Sequence, residues 1–167
     1  MAMQHTPLLM SKILDRGAIV APDEEIVTAT EDGVRRQTYK ETRDRAHQLA
    51  HALADAGIGI GDRVATFMWN GSRHLEAYHA VAGMGAVLHT LNIRLSDHDL
   101  EYIIEHAQDR IIIVDADVLP LLEKLKGRMP SVERIVGGRT NDMFRVVDDA
   151  GVAWALSLRS TGVELVA

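Results

Sequence analysis

The stretch GMGAVLHTLNIRLS, residues 83–96, decides the predicted fold. Its closely spaced glycines, Gly83 and Gly85, are typical of the end of a helix, where glycine adopts the left-handed conformation without steric cost. The short run that follows, 87–89, predicts a short buried strand. A polar loop carrying Arg94 then leads to Ser96, whose hydroxyl is placed to cap another helix. The stretch therefore predicts a helix, a strand and a second helix in immediate succession.

The same alternation extends in both directions along the chain. Helical periodicity predicts helices over 39–56, 72–84, 96–108 and 117–126. Nearly continuous apolar runs predict strands over 64–69, 87–89, 111–114 and 134–136, as expected where a parallel sheet is covered on both faces. This order predicts an α/β fold in three layers, with a mainly parallel sheet flanked by helices and right-handed crossovers.

The N-terminal part adds a short helix over 8–18 and a β-hairpin. Its β-rich segments, 25–30 and 34–38, flank Glu31-Asp32-Gly33, and Asp-Gly between such runs is a strong hairpin signal. Thr38 and Glu41 have the spacing of a capping box at the start of the helix over 39–56. Gly57 supplies the left-handed residue that ends this helix.

Composition excludes several classes of protein. The 167 residues contain no cysteine, which excludes a disulfide scaffold and a thiolate nucleophile. The net charge is −6 and no run of Lys or Arg forms a phosphate-binding stripe, so nucleic acid is not an expected partner. No segment approaches the roughly 20 apolar residues that a transmembrane helix needs. Residues 1–12 do not have the pattern of a signal peptide, and we expect a cytoplasmic protein.

The pattern degrades from residue 139 onward. The segment RTNDMFRVVDDAGVAWALSLRSTGVELVA, residues 139–167, contains apolar residues but no clean helical or strand period. We therefore expect one domain over 1–137, followed by a tail over 138–167 with no clear family match.

Three stretches of the α/β region resemble a known family. They are TYKETRDRAHQLAHALADAGIGIGDRVATFMWN (38–70), HLEAYHAVAGMGAVLHTLNIRLS (74–96) and DLEYIIEHAQDRIIIVD (99–115). Together they resemble the first part of an acyl-CoA synthetase of the adenylate-forming, AMP-binding superfamily. The similarity is greatest to the medium-chain fatty-acyl and methylmercaptopropionyl-CoA ligases, whose loop also has Leu-His-Thr before the asparagine. The resemblance implies a parent reaction in which a fatty acid, ATP and CoA give acyl-CoA, AMP and pyrophosphate.

The resemblance also implies which ligands and residues take part. The full-length family uses ATP, Mg²⁺ and CoA, and in some members the arginine matching Arg94 lies near a phosphate of CoA. The proline that usually precedes this arginine is Ile93 here. The family's phosphate-binding loop, its Mg²⁺ ligand and its adenylation lysine have no counterpart, and Ser160-Thr161-Gly162 matches that loop only faintly. The expectation is a truncated N-terminal subdomain, natural, cloned or frameshifted, that needs no cofactor of its own and does not adenylate alone.

Other interpretations stay open. Ser72, with His89 and Asp115 at strand ends, is the candidate triad of a small esterase, although the simpler interpretation is that Asn70 and Ser72 cap a helix. His47 and His51 have the i, i+4 spacing of a metal-binding pair, but the glutamate of H-E-x-x-H is replaced by Gln48. We interpret them as a solvated helix face and expect no metal site. A non-catalytic module that self-associates as a homodimer through an exposed apolar face is the third hypothesis.

Overall fold

The computed structural model describes residues 7–30, 33–138, 143–147, 153–157 and 165–166, with side chains up to residue 137. Within these residues, the chain alternates strands and helices as expected. The helices are α1 (Met10–Val20), α2 (Tyr39–Asp55), α3 (Ser72–Gly83), α4 (Asp97–Ala107) and α5 (Leu119–Glu123). The strands before residue 139 are β1 (Glu25–Thr30), β2 (Gly33–Thr38), β3 (Arg63–Phe67), β4 (Val87–Thr90), β5 (Ile111–Asp115) and β6 (Arg134–Gly138).

Four parallel strands form the centre of the fold, in the order β4–β3–β5–β6. Helices α2 and α3 cover one face, where Leu49, Val64 and Ile113 belong to one apolar core, and α1 packs against these two helices. Helices α4 and α5 cover the other face, where Phe67, Ile104 and Leu122 belong to a second core. The predicted α/β class with helices on both sides of a parallel sheet is therefore confirmed.

The N-terminal hairpin and the predicted helix signals are also confirmed. Strands β1 and β2 pair antiparallel with Thr30 opposite Gly33; residues 31 and 32 of the predicted turn lie outside the described part of the chain. The capping box is formed in both directions, since the Glu41 amide donates to Thr38 and the Thr38 amide donates to the Glu41 carboxylate. Gly57 adopts a φ of 89°, and the Ile58 amide donates to the Leu53 carbonyl across the end of α2.

The C-terminal part contains strands that the sequence pattern did not predict. Strands β7 (Met143–Val147), β8 (Ala153–Ser157) and β9 (Leu165–Val166) continue the sheet beyond β6, each antiparallel to the one before it. Apolar runs this short are ambiguous by periodicity alone, and their pairing depends on the edge that β6 offers. Ser160-Thr161-Gly162 lies outside the described residues.

Two predicted helix features are wrong in detail. Helix α5 spans only Leu119–Glu123, shorter than the predicted 117–126, and turns follow it. The cap residue of α3 is Gly71 rather than Asn70, and no side chain of its own caps it. Instead, the Ser72 amide donates to Thr28 Oγ1 at 3.1 Å. The hairpin, which is distant in sequence, thus supplies the acceptor that the local sequence was expected to supply.

Candidate functional site

The carboxyl ends of β3, β4 and β5 meet at one edge of the sheet. The connection after β3 leads to α3 on one face, whereas the connection after β5 leads to α5 on the other. Neighbouring strands whose connections diverge in this way define a topological switch point, where open α/β sheets bind ligands. The residues that follow these strands are therefore the first candidates for a functional site.

A cavity of about 320 Å³ lies between the segments that follow β3 and β4. It combines apolar and aromatic walls with imidazole, amide and hydroxyl groups, the composition that small-molecule sites share. Its lining residues are Met68, Trp69, Asn70, His74, Tyr78, Thr90, Leu91, Asn92 and Ile93.

His74 is the enclosed polar group of this cavity. Only 6% of the residue is exposed, and its Nε2 shares a hydrogen bond of 2.9 Å with Thr66 Oγ1. Its ring packs against the Tyr78 ring at 5.0 Å. Burial lowers the pKa of His74, while Asp115 and the Trp69 backbone oppose the change. Within the described part of the chain, Nδ1 has no partner of ordinary hydrogen-bond geometry. The site therefore presents an enclosed imidazole whose burial favours the neutral form.

Trp69 bridges the switch point between β3 and β5. Its peptide N–H donates to Asp115 Oδ2 at 2.8 Å, and its indole Nε1–H donates to Asp117 Oδ2 at 2.7 Å. Burial raises the pKa of Asp115, and the hydrogen bond from Trp69 opposes this rise. The two carboxylates thus fix the segment after β3, which forms one wall of the cavity.

Arg94 lies in the polar loop after β4, two residues beyond the cavity residue Asn92. Its amide donates to Asn92 Oδ1 at 2.9 Å, so the asparagine side chain holds the backbone of the loop in a turn. The Arg94 residue itself is exposed. Its guanidinium is accordingly accessible to a ligand at the carboxyl edge.

In the structure, each of the three candidate esterase residues forms a hydrogen bond with a residue outside the candidate triad. Ser72 is 3% exposed at the start of α3, where its amide donates to Thr28. His89 Nδ1 lies 2.7 Å from Asp109 Oδ2, not at Asp115, and Asp115 accepts from Trp69. Burial raises the pKa of Asp109, and His89 opposes this rise. A buried serine without a linked histidine gives the esterase interpretation no support, since geometry defines a triad.

His47 and His51 lie on α2, far along the chain from the cavity residues. Both line a second, smaller groove between α1, α2 and α3. Among the residues with described positions, no group of three or more His, Asp or Glu side chains is placed to hold a metal ion. Likewise, none of the described helices has the length and apolar content needed to span a bilayer.

Sequence reasoning missed His74, Trp69 and Asp117 as candidates. A usable signal existed, because Trp69 ends the predicted strand over 64–69 and Asp117 closely follows the one over 111–114, and polar or aromatic residues at the carboxyl ends of parallel strands share one edge. His74 had no such signal. It lies inside α3, and only the tertiary contact with Thr66 shows that its side chain turns toward the sheet.

The chain is similar to proteins of one enzyme family. A sequence profile of the family described as AMP-binding enzyme matches residues 14–158, which includes residues 138–158 of the segment that showed no clear pattern. A long-chain-fatty-acid–CoA ligase of Thermus thermophilus is 44% identical over 135 residues, which are 80% of this chain and 25% of the relative. A 3-methylmercaptopropionyl-CoA ligase of Ruegeria pomeroyi is 39% identical over 167 aligned residues, covering 91% of this chain and 31% of the relative.

Solved structures show the same fold. An anthranilate CoA ligase, AuaEII, in complex with anthranoyl-AMP superposes with a TM-score of 0.69 at 26% identity, covering 81% of this chain and 27% of that one. The N-terminal domain of FACL13 from Mycobacterium tuberculosis superposes with a TM-score of 0.74 at 24% identity, covering 79% of this chain and 34% of that one. The chain thus spans about a quarter to a third of the length of the curated relatives that it matches.

Proposed function

The chain belongs to the AMP-binding enzyme family, and from this premise we propose that it forms the N-terminal subdomain of an ATP-dependent acyl-CoA ligase. The parent reaction joins a carboxylic acid to CoA through an acyl-adenylate and releases pyrophosphate and AMP. The observation that carries this proposal is the family match over 14–158 on an α/β core whose carboxyl edge bears a cavity.

The proposed substrate class is a fatty acid or a short thioether acid. It is supported by 44% identity with a fatty-acid ligase and 39% identity with a methylmercaptopropionyl-CoA ligase. ATP, Mg²⁺ and CoA would be the ligands of the whole ligase. We further propose that the 167 residues alone do not complete adenylation, because the matched part is only 25–31% of the length of these relatives.

A chimera tests this function. The matched part of the Thermus thermophilus relative is replaced by residues 14–158 of this chain, and acyl-CoA formation from a fatty acid is measured. If the chain is the corresponding subdomain, the chimera forms acyl-CoA and the isolated chain does not release pyrophosphate. A matched control chimera carries Ala77→Arg, which places a charge in the fully buried contact of α3 with the core.

Two outcomes would contradict the proposal. A folded chimera without any acyl-CoA formation would show that the matched part does not serve as a ligase subdomain. Acyl-adenylate formation by the isolated chain would show that the 167 residues are sufficient for the first half-reaction.

Arg94 is proposed to contact a phosphate of CoA. Its exposure and the turn held by Asn92 support this role, and a guanidinium suits phosphate geometry. In the chimera, we expect Arg94→Gln to raise KM for CoA by about 10- to 100-fold, because a hydrogen bond to a charged group contributes about 1.5–3 kcal/mol. If the phosphate contacted is the 3′-phosphate, KM for dephospho-CoA, which lacks that group, should change little. Arg36→Gln, an exposed arginine of the hairpin, is the control, and equal effects of the two substitutions would contradict the assignment.

We also propose that the chain self-associates as a homodimer through an exposed apolar stripe on α1. Ile13 and Val20 of α1, with Leu9 directly before the helix, are 51–64% exposed, whereas Leu14 and Ala18 of α1 are buried. An apolar stripe of this kind favours contact with a second copy of the chain. Sedimentation velocity should show a dimer that Ile13→Lys dissociates, and a monomer at all concentrations would contradict it.

The proposed location in the cytoplasm is supported by the absence of cysteine, because the fold then does not depend on disulfides formed in an oxidising compartment.

A further inference from the structure

A groove on the opposite side of α3 from the sheet brings together several imidazoles. It lies between α1, α2 and α3 and encloses about 160 Å³. Four of its lining residues are ionisable, namely Asp15, His47, His51 and His79, and they come from all three helices. Three of the eight histidines of the chain therefore line one small groove that the proposed ligase function does not use.

His47 and His51 occupy successive turns on one side of α2. The helix is continuous from Tyr39 to Asp55, so residues four apart lie on the same face with neighbouring side chains. This is the spacing by which a helix presents two imidazoles to one metal ion. Both rings border the open groove rather than the packed core, so a metal ion can reach them from solvent.

The surroundings suit a cation. His47 Nε2 lies 3.6 Å from Asp15 Oδ1, so a carboxylate of α1 stands beside the pair. Imidazole nitrogens with a nearby carboxylate favour zinc, nickel and copper over calcium and magnesium. Across the groove, His79 of α3 contributes a third imidazole to the lining.

We propose that His47 and His51 chelate a divalent transition-metal ion, zinc in the first instance, at the mouth of the groove between α1, α2 and α3. The site is a two-histidine chelate completed by water, because the described His, Asp and Glu side chains form no ready group of three. Asp15 acts as the neighbouring negative charge rather than as a ligand. Because both ligands lie on α2, metal binding then favours the helical state of the turn that contains them.

Isothermal titration calorimetry with Zn²⁺ tests the site. We expect one site in the wild-type chain and a loss of affinity of about tenfold or more in His47→Ala and in His51→Ala, since a chelate gains from the effective concentration of its second ligand. The matched control exchanges Gln48 and His51, as Gln48→His with His51→Gln. It keeps composition and charge but places the histidines at i, i+1, where they do not share a face.

The second measurement locates the ion directly. In a ¹H–¹⁵N spectrum of the imidazoles, substoichiometric Ni²⁺ should broaden the ring signals of His47 and His51 before those of the other six histidines. His98→Ala with His106→Ala, two histidines eight residues apart on α4, should leave Zn²⁺ affinity unchanged. Equal Zn²⁺ affinity of the wild type and the exchange variant, or first broadening at other histidines, would overturn the proposal. Circular dichroism confirms that each variant retains the fold.

Discussion

At the scale of single residues, His74 shows how a position inside a helix acquires chemical character from its surroundings. His74 lies in the first turn of α3, and its position in the sequence does not distinguish it from an ordinary exposed histidine. Packing against Thr66 and Tyr78 buries it, and burial lowers its pKa. The result is a neutral ring in the cavity wall whose protonation would oppose folding.

The stability of the protein should depend on pH through His74. Because the pKa is lowered in the folded state, the unfolded chain binds a proton below the ordinary pKa of 6.5 that the folded chain does not bind. The free energy of unfolding should therefore fall as pH decreases below about 6.5, by up to about 1.4 kcal/mol per pH unit from this group. Urea unfolding of the wild type and of His74→Gln between pH 5 and 8 measures this pH dependence of the free energy of unfolding.

The difference between the two unfolding curves removes the contributions of titratable groups that do not interact with His74. The raised pKa values of Asp109 and Asp115 act with the opposite sign, because these folded-state carboxyls hold a proton more tightly than the unfolded chain does. Both remain in His74→Gln, although Asp115 also interacts electrostatically with His74. Parallel curves for the two proteins over this pH range would contradict the prediction.

At the scale of elements, a buried polar network joins β2, α2 and α3. Glu76 is 1% exposed, and its Oε1 accepts from Arg45 Nε and from Gln37 Nε2, each at 2.8 Å. Gln37 also donates to Thr42 Oγ1 at 2.9 Å. The network fixes the hairpin and two helices relative to one another by hydrogen bonds rather than by apolar packing. A charge so deeply buried is tolerated only while its partner is present.

Removing one partner of the buried ion pair between Arg45 and Glu76 should destabilise the protein. We expect Arg45→Met to lower the free energy of unfolding by about 3 kcal/mol, because it leaves the Glu76 charge buried without its cation. Arg45→Met with Glu76→Leu should recover most of that loss. The exposed pair of Arg36 and Glu25 is the control, since its disruption should cost only about 0–1 kcal/mol. Urea denaturation compares the variants, and equal costs at the two pairs would contradict the argument.

The cap that the hairpin supplies to α3 gives a second prediction at this scale. Thr28→Val keeps the shape of the side chain but removes the acceptor of the Ser72 amide. We expect a loss of about 1 kcal/mol, the usual value of an N-terminal cap, with faster hydrogen exchange of the Ser72 amide. Thr30→Val, at an exposed position of the same strand, should change neither the free energy of unfolding nor the exchange rate of the Ser72 amide. Unchanged exchange at Ser72 would show that Thr28 does not cap the helix.

At the scale of the whole molecule, one sheet separates two apolar cores. Alternate residues of each central strand face opposite sides, so Ile111 and Ile113 enter one core while Ile112 and Val114 enter the other. Neither core is complete without the sheet that both share. The parallel half should therefore unfold as one unit.

A truncation in either core should destabilise the same unit. Leu49→Ala removes volume on the side of α2, and Leu122→Ala removes volume on the side of α5; both side chains are at most 2% exposed. We expect each to cost about 2–5 kcal/mol. Leu8→Ala, at a fully exposed residue, should cost less than about 0.5 kcal/mol. Hydrogen exchange of β3 and β5 should accelerate in both core variants alike, and an effect confined to one face would contradict a single unit.

The local sequence determined the elements whose signals are short-range. The capping box of Thr38 and Glu41, the left-handed Gly57 and the paired strands of the hairpin all depend on residues a few positions apart, and all were predictable. The continuous apolar runs of β3 and β5 likewise predicted a sheet covered on both faces.

Tertiary structure alone decided which of these elements meet. In the folded chain, Thr28 rather than Asn70 caps α3, and His89 pairs with Asp109 rather than Asp115. His74 is buried and bonds to Thr66. The sheet also continues through β7, β8 and β9. The physical reason is range: capping and periodicity act between neighbours in the chain, whereas burial, pKa and hydrogen-bond partners depend on contacts between residues that only the folded chain brings together.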